Sequence, residues 1–193
     1  MNKLINNMEL YAKENNIPIM EKEGIEFLSK FIREKNIKNI LEVGSAIGYS
    51  AIKMALDNPG VNIVTIELNK SRYDMAVENI NKLDLNDRII IYNDDALLID
   101  IQGEFDLIFI DAAKAQYIKF FEKYRKNLTN NGYLISDNLK FHGFVNDSSL
   151  KMSRNLRQLV GKIKRYIEFL ENNEEYSTKF IDIGDGIAVS KRR

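Results

Sequence analysis

The stretch Ile40-Leu41-Glu42-Val43-Gly44-Ser45-Ala46-Ile47-Gly48-Tyr49-Ser50 constrains this chain more than any other. An apolar run ends in an acid and a glycine, a second glycine follows, and Ser50-Ala51-Ile52-Lys53-Met54-Ala55-Leu56 resumes at helical spacing. That order predicts a buried strand, a tight glycine turn and a helix start. Glycine lets the backbone approach a ligand closely or take positive φ. The helix N-terminus behind it offers free N–H groups and partial positive charge. The pattern is that of a nucleotide-type pocket. A dinucleotide fingerprint requires G-x-G-x-x-G, whereas only Gly44 and Gly48 are present here, as E-x-G-x-x-x-G.

The rest of the chain alternates in the same way. Leu4, Ile5, Met8 and Tyr11 fall at helical spacing, as do Ile25, Leu28, Phe31 and Ile32 between Glu21 and Lys35. Two amphipathic helices are therefore expected before the first strand. Residues 1–36 read as a helical cap and residues 38–193 as a Rossmann-like core, together one domain; 193 residues are enough for one α/β core and few for two. Asn58-Pro59-Gly60 turns the chain into a second strand, Val61 to Glu67. Asn69 to Leu83 is helical, Arg88 to Tyr92 a third strand, and Phe105 to Ile110 a fourth, apolar enough to be buried on both faces. Tyr117, Phe120, Phe121 and Tyr124 form the apolar side of a helix, after which Asn131-Gly132 turns into a fifth strand, Tyr133 to Ser136.

A long helix is expected from about Ser149 to Glu171. Met152, Leu156, Leu159, Val160, Ile163, Tyr166, Ile167 and Leu170 fall in one arc, with Arg154, Arg157, Lys164 and Arg165 opposite. Tyr176 to Ile183 and Ile187 to Ser190 flank Gly184-Asp185-Gly186 as a hairpin. The fold class is α/β: a doubly wound, seven-stranded, mostly parallel sheet with an antiparallel C-terminal strand.

In such a sheet, ligands sit outside the carboxyl ends of the strands. Glu42, Glu67, Asp95, Asp111 and Asp137 all lie at or next to those ends. Glu67 stands 23 residues past Gly44, near the offset of roughly 20 at which an acid meets ribose hydroxyls. Asp95-Ala96 is placed to meet an adenine through a side-chain oxygen and a backbone N–H, although an Asp pair after a strand also caps helices. Asp111 with Asp137-Asn138 offers two carboxylates and an amide oxygen, a set that suits Mg²⁺ or Ca²⁺. The competing reading of these acids is as hydrogen-bonded caps.

Composition narrows the function classes. Lys+Arg and Asp+Glu both number 28, so overall charge predicts no polyanion binding, and any basic patch is local. One exists: Lys140 to Arg165 holds seven Lys/Arg against Asp147 alone. Cysteine is absent, which excludes disulfides and thiolate zinc sites. The N-terminus is no signal peptide and no apolar run approaches the length of a membrane span, so a cytoplasmic protein with no membrane partner is expected. His142, the single histidine, lies beside Gly143 without a readable partner and is assigned no role.

These residues carry a resemblance. The E-x-G-x-x-x-G turn resembles motif I of the class I methyltransferases, which bind S-adenosylmethionine. Asp111-Ala112-Ala113-Lys114, Tyr117, Gly132, Asp137-Asn138 and Gly143-Phe144-Val145 resemble the cation-dependent O-methyltransferases, among them the catechol and caffeoyl-CoA enzymes. The resemblance implies two cofactors, S-adenosylmethionine and Mg²⁺ or another divalent cation. It makes Asp111, Asp137 and Asn138 the metal ligands, and Asp111 and Lys114 the catalytic pair, with Lys114 as candidate base. Glu67 would take the ribose, Asp95-Ala96 the adenine, and Gly44 and Ser50 the methionine end. Met20 would match a position in the cofactor pocket, and Glu42, Ser45 and Gly48 belong to the same cofactor-binding turn.

Within the family, Asp-Ala-Ala-Lys and the basic last helix are most similar to bacterial tRNA 5-hydroxyuridine methyltransferases, which make 5-methoxyuridine at the wobble position. That implies a tRNA partner held at its phosphates by Arg154, Arg157, Lys164 and Arg165, a homodimer, and Tyr49, Phe141 and Phe144 as candidates to stack on a flipped-out base. The expected reaction is an SN2 methyl transfer in which the cation acidifies the acceptor hydroxyl so that it needs little further base, and Lys114 takes the proton if the nearby cation lowers its own pKa. The alternatives are the same chemistry on a small catechol-like or caffeoyl-CoA-like acceptor, and a non-catalytic nucleotide- or RNA-binding module. An NAD-linked oxidoreductase is disfavoured by the missing third glycine.

Overall fold

The computed structural model describes residues 2–140 and 153–193. Seven strands run through Asn39–Val43 (β1), Asn62–Glu67 (β2), Ile89–Asn93 (β3), Phe105–Ile110 (β4), Leu128–Ser136 (β5), Tyr176–Ile181 (β6) and Ile187–Arg192 (β7). They form one sheet in the order β3-β2-β1-β4-β5-β7-β6. The first five strands are parallel, and β7 inserts antiparallel between β5 and β6. The helices are Asn2–Glu14 (α1), Lys22–Glu34 (α2), Tyr49–Asp57 (α3), Lys70–Lys82 (α4), Tyr117–Tyr124 (α5) and Arg154–Glu171 (α6). This is the doubly wound, mostly parallel sheet that the alternation predicts. Among the described residues, no helix is long and apolar enough to cross a membrane.

Strand side chains alternate between faces, and the two apolar layers follow from that. Ile40, Leu107 and Phe109 meet Met8, Leu28 and Ile52 of α1, α2 and α3 on one side. Leu41, Val43, Ile108 and Ile110 meet Phe121 and Tyr166 of α5 and α6 on the other. Each such side chain contributes roughly 1.5–3 kcal/mol on leaving water.

Three expectations need correction. Tyr11 is 42% exposed; α1 buries Ile5, Met8 and Ala12 instead, a stripe rotated by one residue. Asn131-Gly132 does not precede β5 but lies inside it, where the pairing shifts from Phe105↔Leu128 to Leu107↔Tyr133. The last helix is described from Arg154, with Ser153 Oγ accepting from Leu156 N at 3.2 Å as its cap; Ser149 to Met152 lie outside the described residues.

Glu42 also departs from its expected place. It is wholly buried within β1, where Ser50 Oγ and Thr65 Oγ1 donate to its two oxygens at 2.5 Å each. β1 is an inner strand flanked by β2 and β4, so the acid's side chain meets Ser50 of α3 and Thr65 of β2 rather than the cavity. Burial is the main reason its carboxyl is pushed up from 4.5 to about 7; the two hydroxyls pull it down, and the Asp111 and Glu67 charges add to the rise. On the other side of the sheet, the Tyr166 hydroxyl of α6 meets Ser136 Oγ of β5 at 2.6 Å, both buried.

Two measurements check this account. The folded carboxyl of Glu42 holds its proton up to about 7, against 4.5 for the free group. Stability therefore falls as pH rises through that window, because the unfolded chain has already released the proton. Glu42→Gln offers its oxygen to one hydroxyl and an N–H to the other, and removes the titration. Relative to wild type it should gain on the order of 3 kcal/mol between acid and neutral pH in urea titrations; a pH-independent difference would refute the account. Tyr166→Phe leaves Ser136 unsatisfied and should cost about 1–3 kcal/mol, part of which the added Ser136→Ala should restore.

Candidate active site

The register aligns the strand ends. Val43 pairs with Ile110 and Ile110 with Ser136, so Gly44, Asp111 and Asp137 leave the sheet side by side. Above them lies a cavity of about 1060 Å³, walled by the turns after β1, β2, β3 and β4, by Asn138 after β5, and by the connection between α1 and α2. It falls where ligands sit in open α/β sheets.

Gly44 has φ +96°, and a Cβ there would stand 2.4 Å from the Asp111 carbonyl oxygen and 3.0 Å from Ala112 Cα. No side chain fits between the ends of β1 and β4. The turn then runs through Ala46, itself at φ +47°, to Gly48 at φ +82°, which begins α3 without a side-chain cap. Gly44, Ser45 and Ala46 line the cavity, whereas Gly48 stands behind it, against Ala76 of α4.

Glu67, also on the wall, holds this turn. Ala46 N donates to its Oε2 and Asn69 N to its Oε1, each at 2.8 Å. Each oxygen keeps capacity for a further hydrogen bond. Asp95 and Ala96 lie on the wall too; Asp95 Oδ1 accepts from Leu97 N at 2.7 Å, and the Ala96 carbonyl accepts from the Tyr124 hydroxyl at 2.6 Å. Met20 reaches the cavity from the α1–α2 connection and packs against Gly24. Ser50 lines the cavity but has committed its proton to Glu42. Ser45 Oγ and Asn138 Oδ1 are buried without a hydrogen-bond partner among the described residues, and both Ser45 and Asn138 line the cavity.

On the opposite wall, Asp111 lies beside Lys114, with Nζ to Oδ1 at 3.0 Å. Burial alone would pull the Lys114 ammonium down, but the Tyr117 oxygen and the Asp111 carboxylate outweigh it and hold the group above its ordinary value. Without a metal ion beside it, Lys114 is thus held charged next to Asp111, and the lowering that a role as base requires would have to come from a bound cation. Asp137 is buried just behind Asn138, and burial followed by the Asp111 charge pushes it up to about 7, against the pull of Lys114.

The donor set fits a hard cation. Two crowded carboxylates repel one another, and beside them Asn138 sits at φ +64° with its amide oxygen unspent. Oxygen donors of this kind are what Mg²⁺ takes. Among the described residues no group of three or more His, Cys, Asp or Glu side chains gathers for a metal, so the amide belongs to any such set.

Arg154, Arg157, Lys164 and Arg165 are exposed on α6, whose Leu159 reaches the cavity wall. Tyr49 lines the cavity but is only 3% exposed, and its hydroxyl donates to Glu9 Oε1 at 2.7 Å; it is a packed ring rather than a stacking platform. Phe141, His142, Gly143, Phe144 and Val145 lie outside the described residues. The sequence reading missed Asn16, Pro18 and Ile19, Lys70 and Arg72, and Phe120. Lys70 and Arg72 were findable, since they open the helix directly behind Glu67. The segment 16–19 carries no local signal.

The O-methyltransferase family model matches residues 2–193. A caffeoyl-CoA O-methyltransferase of Populus kitakamiensis is 29% identical over 191 residues, covering 94% of this chain and 81% of that one. A Staphylococcus aureus structure, provisionally assigned as a caffeoyl-CoA O-methyltransferase, is 37% identical with a TM-score of 0.92 over 98% of this chain and 92% of that one. A Bacillus cereus O-methyltransferase solved with S-adenosylhomocysteine is 25% identical, with a TM-score of 0.83 over 99% and 91%. A match running from the first helix to the last strand, on a sheet of this order, shows that the chain belongs to the O-methyltransferase family.

Proposed function

We propose that this chain transfers a methyl group from S-adenosylmethionine to a ring hydroxyl of a small catechol-like acceptor, of the kind carried by caffeoyl-CoA. The observation that carries this reading is one cavity with two unlike walls. On one side stand the glycine turn, the unpartnered Ser45 hydroxyl and Glu67. On the other stand Asp111 and the Asn138 amide oxygen, which has no hydrogen-bond partner among the described residues, with Asp137 behind it. Relatives along nearly the whole chain are named for caffeoyl-CoA, which supports the small acceptor.

In this reading Glu67, Asp95, the Ala96 amide, Ser45 and Met20 hold the cofactor, and Asp111, Asp137 and Asn138 hold a divalent cation. When bound, the two groups supply an electrophilic methyl and a Lewis acid that lowers the pKa of the acceptor hydroxyl. Transfer breaks the sulfur–methyl bond, makes an oxygen–methyl bond, and sends the hydroxyl proton to water. Lys114, fixed by Asp111, adds positive charge where the acceptor oxygen becomes anionic. The walls bring both reactants together.

A second reading keeps the chemistry and changes the acceptor to 5-hydroxyuridine in tRNA. It rests on the exposed Arg154, Arg157, Lys164 and Arg165 of α6, the helix that also gives Leu159 to the cavity.

Labelled S-adenosylmethionine with Mg²⁺, offered caffeoyl-CoA, a catechol panel and tRNA containing 5-hydroxyuridine, separates the two. Label should enter a small catechol and vanish with EDTA; label in tRNA alone would overturn the small-acceptor reading, and full turnover in EDTA would remove the cation from it. Asp137→Ala should lower turnover by at least about 100-fold with the fold intact by circular dichroism. Arg154→Glu with Arg157→Glu should leave catechol methylation within about twofold, since both side chains are exposed and outside the cavity lining; a large loss would point to a charged acceptor arm.

A further inference from the structure

Helix α5 begins at Tyr117 and ends at Tyr124, and both rings are buried. A spacing of seven residues is close to two helical turns, so both side chains leave the same face, about 10 Å apart along the axis. Each hydroxyl donates to a backbone carbonyl just beyond a strand. Tyr117 bonds the Asp137 oxygen at 3.0 Å, and Tyr124 bonds the Ala96 oxygen at 2.6 Å. Those carbonyls follow β5 and β3, which β2, β1 and β4 separate in the sheet. One short helix therefore ties together two walls of the cavity that the sheet holds far apart.

The tied segments are the irregular ones. Next to the Asp137 carbonyl, Asn138 takes φ +64° and presents an amide oxygen without a partner among the described residues. The chain beyond is held from the other side by the β6–β7 turn, with Leu139 N donating to the Gly186 carbonyl at 3.0 Å and Lys140 N to the Asp185 carbonyl at 2.6 Å. Around the Ala96 carbonyl the chain makes a turn whose other internal bonds run back to Asp95. Beyond the last ladder bond, from Asp137 N to the Ile110 carbonyl at 3.2 Å, the first segment leaves the sheet, and the second lies outside it, so each depends on such outside bonds for its shape.

We propose that Tyr117 and Tyr124 are positioning residues that set two separate ligand subsites from one helix: Tyr117 the segment offering Asp137 and Asn138 to a divalent cation, and Tyr124 the Asp95-Ala96 turn that meets the base of an adenosyl ligand. This rests on the reading of the cavity in the preceding subsection. Removing either hydroxyl leaves a buried carbonyl unsatisfied and frees its segment to relax. A ligand then has to reorder that segment as it binds, and its affinity falls. The helix is the shared frame, but each bond acts on its own wall, so the two effects are separable.

Tyr117→Phe and Tyr124→Phe keep the rings, including the edge contact of Tyr117 with Tyr166 at 5.2 Å. On the full chain, Mn²⁺ binding is read by electron paramagnetic resonance and S-adenosylhomocysteine binding by calorimetry. Tyr117→Phe should weaken Mn²⁺ by about three- to tenfold and leave S-adenosylhomocysteine within about twofold; Tyr124→Phe should do the reverse. Thermal melts on the same samples should fall by similar amounts, which separates positioning from general destabilisation. Unchanged affinities in both variants, or equal loss of both ligands in each, would overturn the proposal. Wild-type protein that binds neither probe would overturn the reading of the cavity itself, and this assignment with it.

Discussion

The site depends on how closely the ends of β1 and β4 approach. At Gly44 the backbone lies so near the Asp111 carbonyl that a single Cβ would stand 2.4 Å from it. These are the two central strands of the sheet, paired in parallel, so their ends cannot part without breaking the ladder. The contact sends the β1 turn over the sheet edge toward β2, where Glu67 receives its Ala46 amide. It also pins the backbone of Asp111 while leaving its side chain to Lys114. Both walls of the cavity are thus referred to one junction of bare backbone.

Acids at equivalent strand ends have unlike fates, and burial with local donors explains which is which. Glu42 is enclosed and serves as an internal post between α3 and β2 through Ser50 and Thr65. Glu67 accepts two backbone amides and so shapes the turns that it also walls. Asp95 caps its own turn. Asp111 is paired with Lys114, and Asp137 is buried beside Asp111 with Lys114 and the Asn138 amide only partly offsetting the rise, which leaves this pair, with the Asn138 oxygen unpartnered among the described residues, as the place where a cation would relieve repulsion. A row of carboxylates is therefore not a row of ligands.

The roof of the cavity comes from outside the alternating core. Pro18, Ile19 and Met20 join α1 to α2, and α1 is anchored through Ile5, Met8 and Ala12 below and through Glu9 to the Tyr49 hydroxyl. Tyr49 is the first residue of α3, so the helix that starts at the glycine turn also secures the helix that covers it. The ring read from sequence as a base-stacking candidate is used for this instead.

Element types, their order and the parallel sense of the sheet were legible in the chain, because apolar period and turn residues are local properties that burial of one face enforces. The glycine turn and the acids at strand ends were legible for the same reason: a residue at the end of a strand is on the ligand edge whatever its partners. The stripe of α1 was off by one residue, since Tyr11 and Ala12 compete and only the packed surface decides between them. The irregular middle of β5 was missed because Asn131-Gly132 looks the same in a loop and in a bulge. By itself, then, the sequence determined the doubly wound sheet and the edge at which chemistry is possible. Tertiary structure alone decided that Glu42 turns inward and that Tyr117 and Tyr124 hold opposite walls. Those outcomes depend on which polar atoms meet across 20 or more residues of chain, as Thr65 and Glu42 or Tyr124 and Ala96 do, and no local pattern encodes such a meeting.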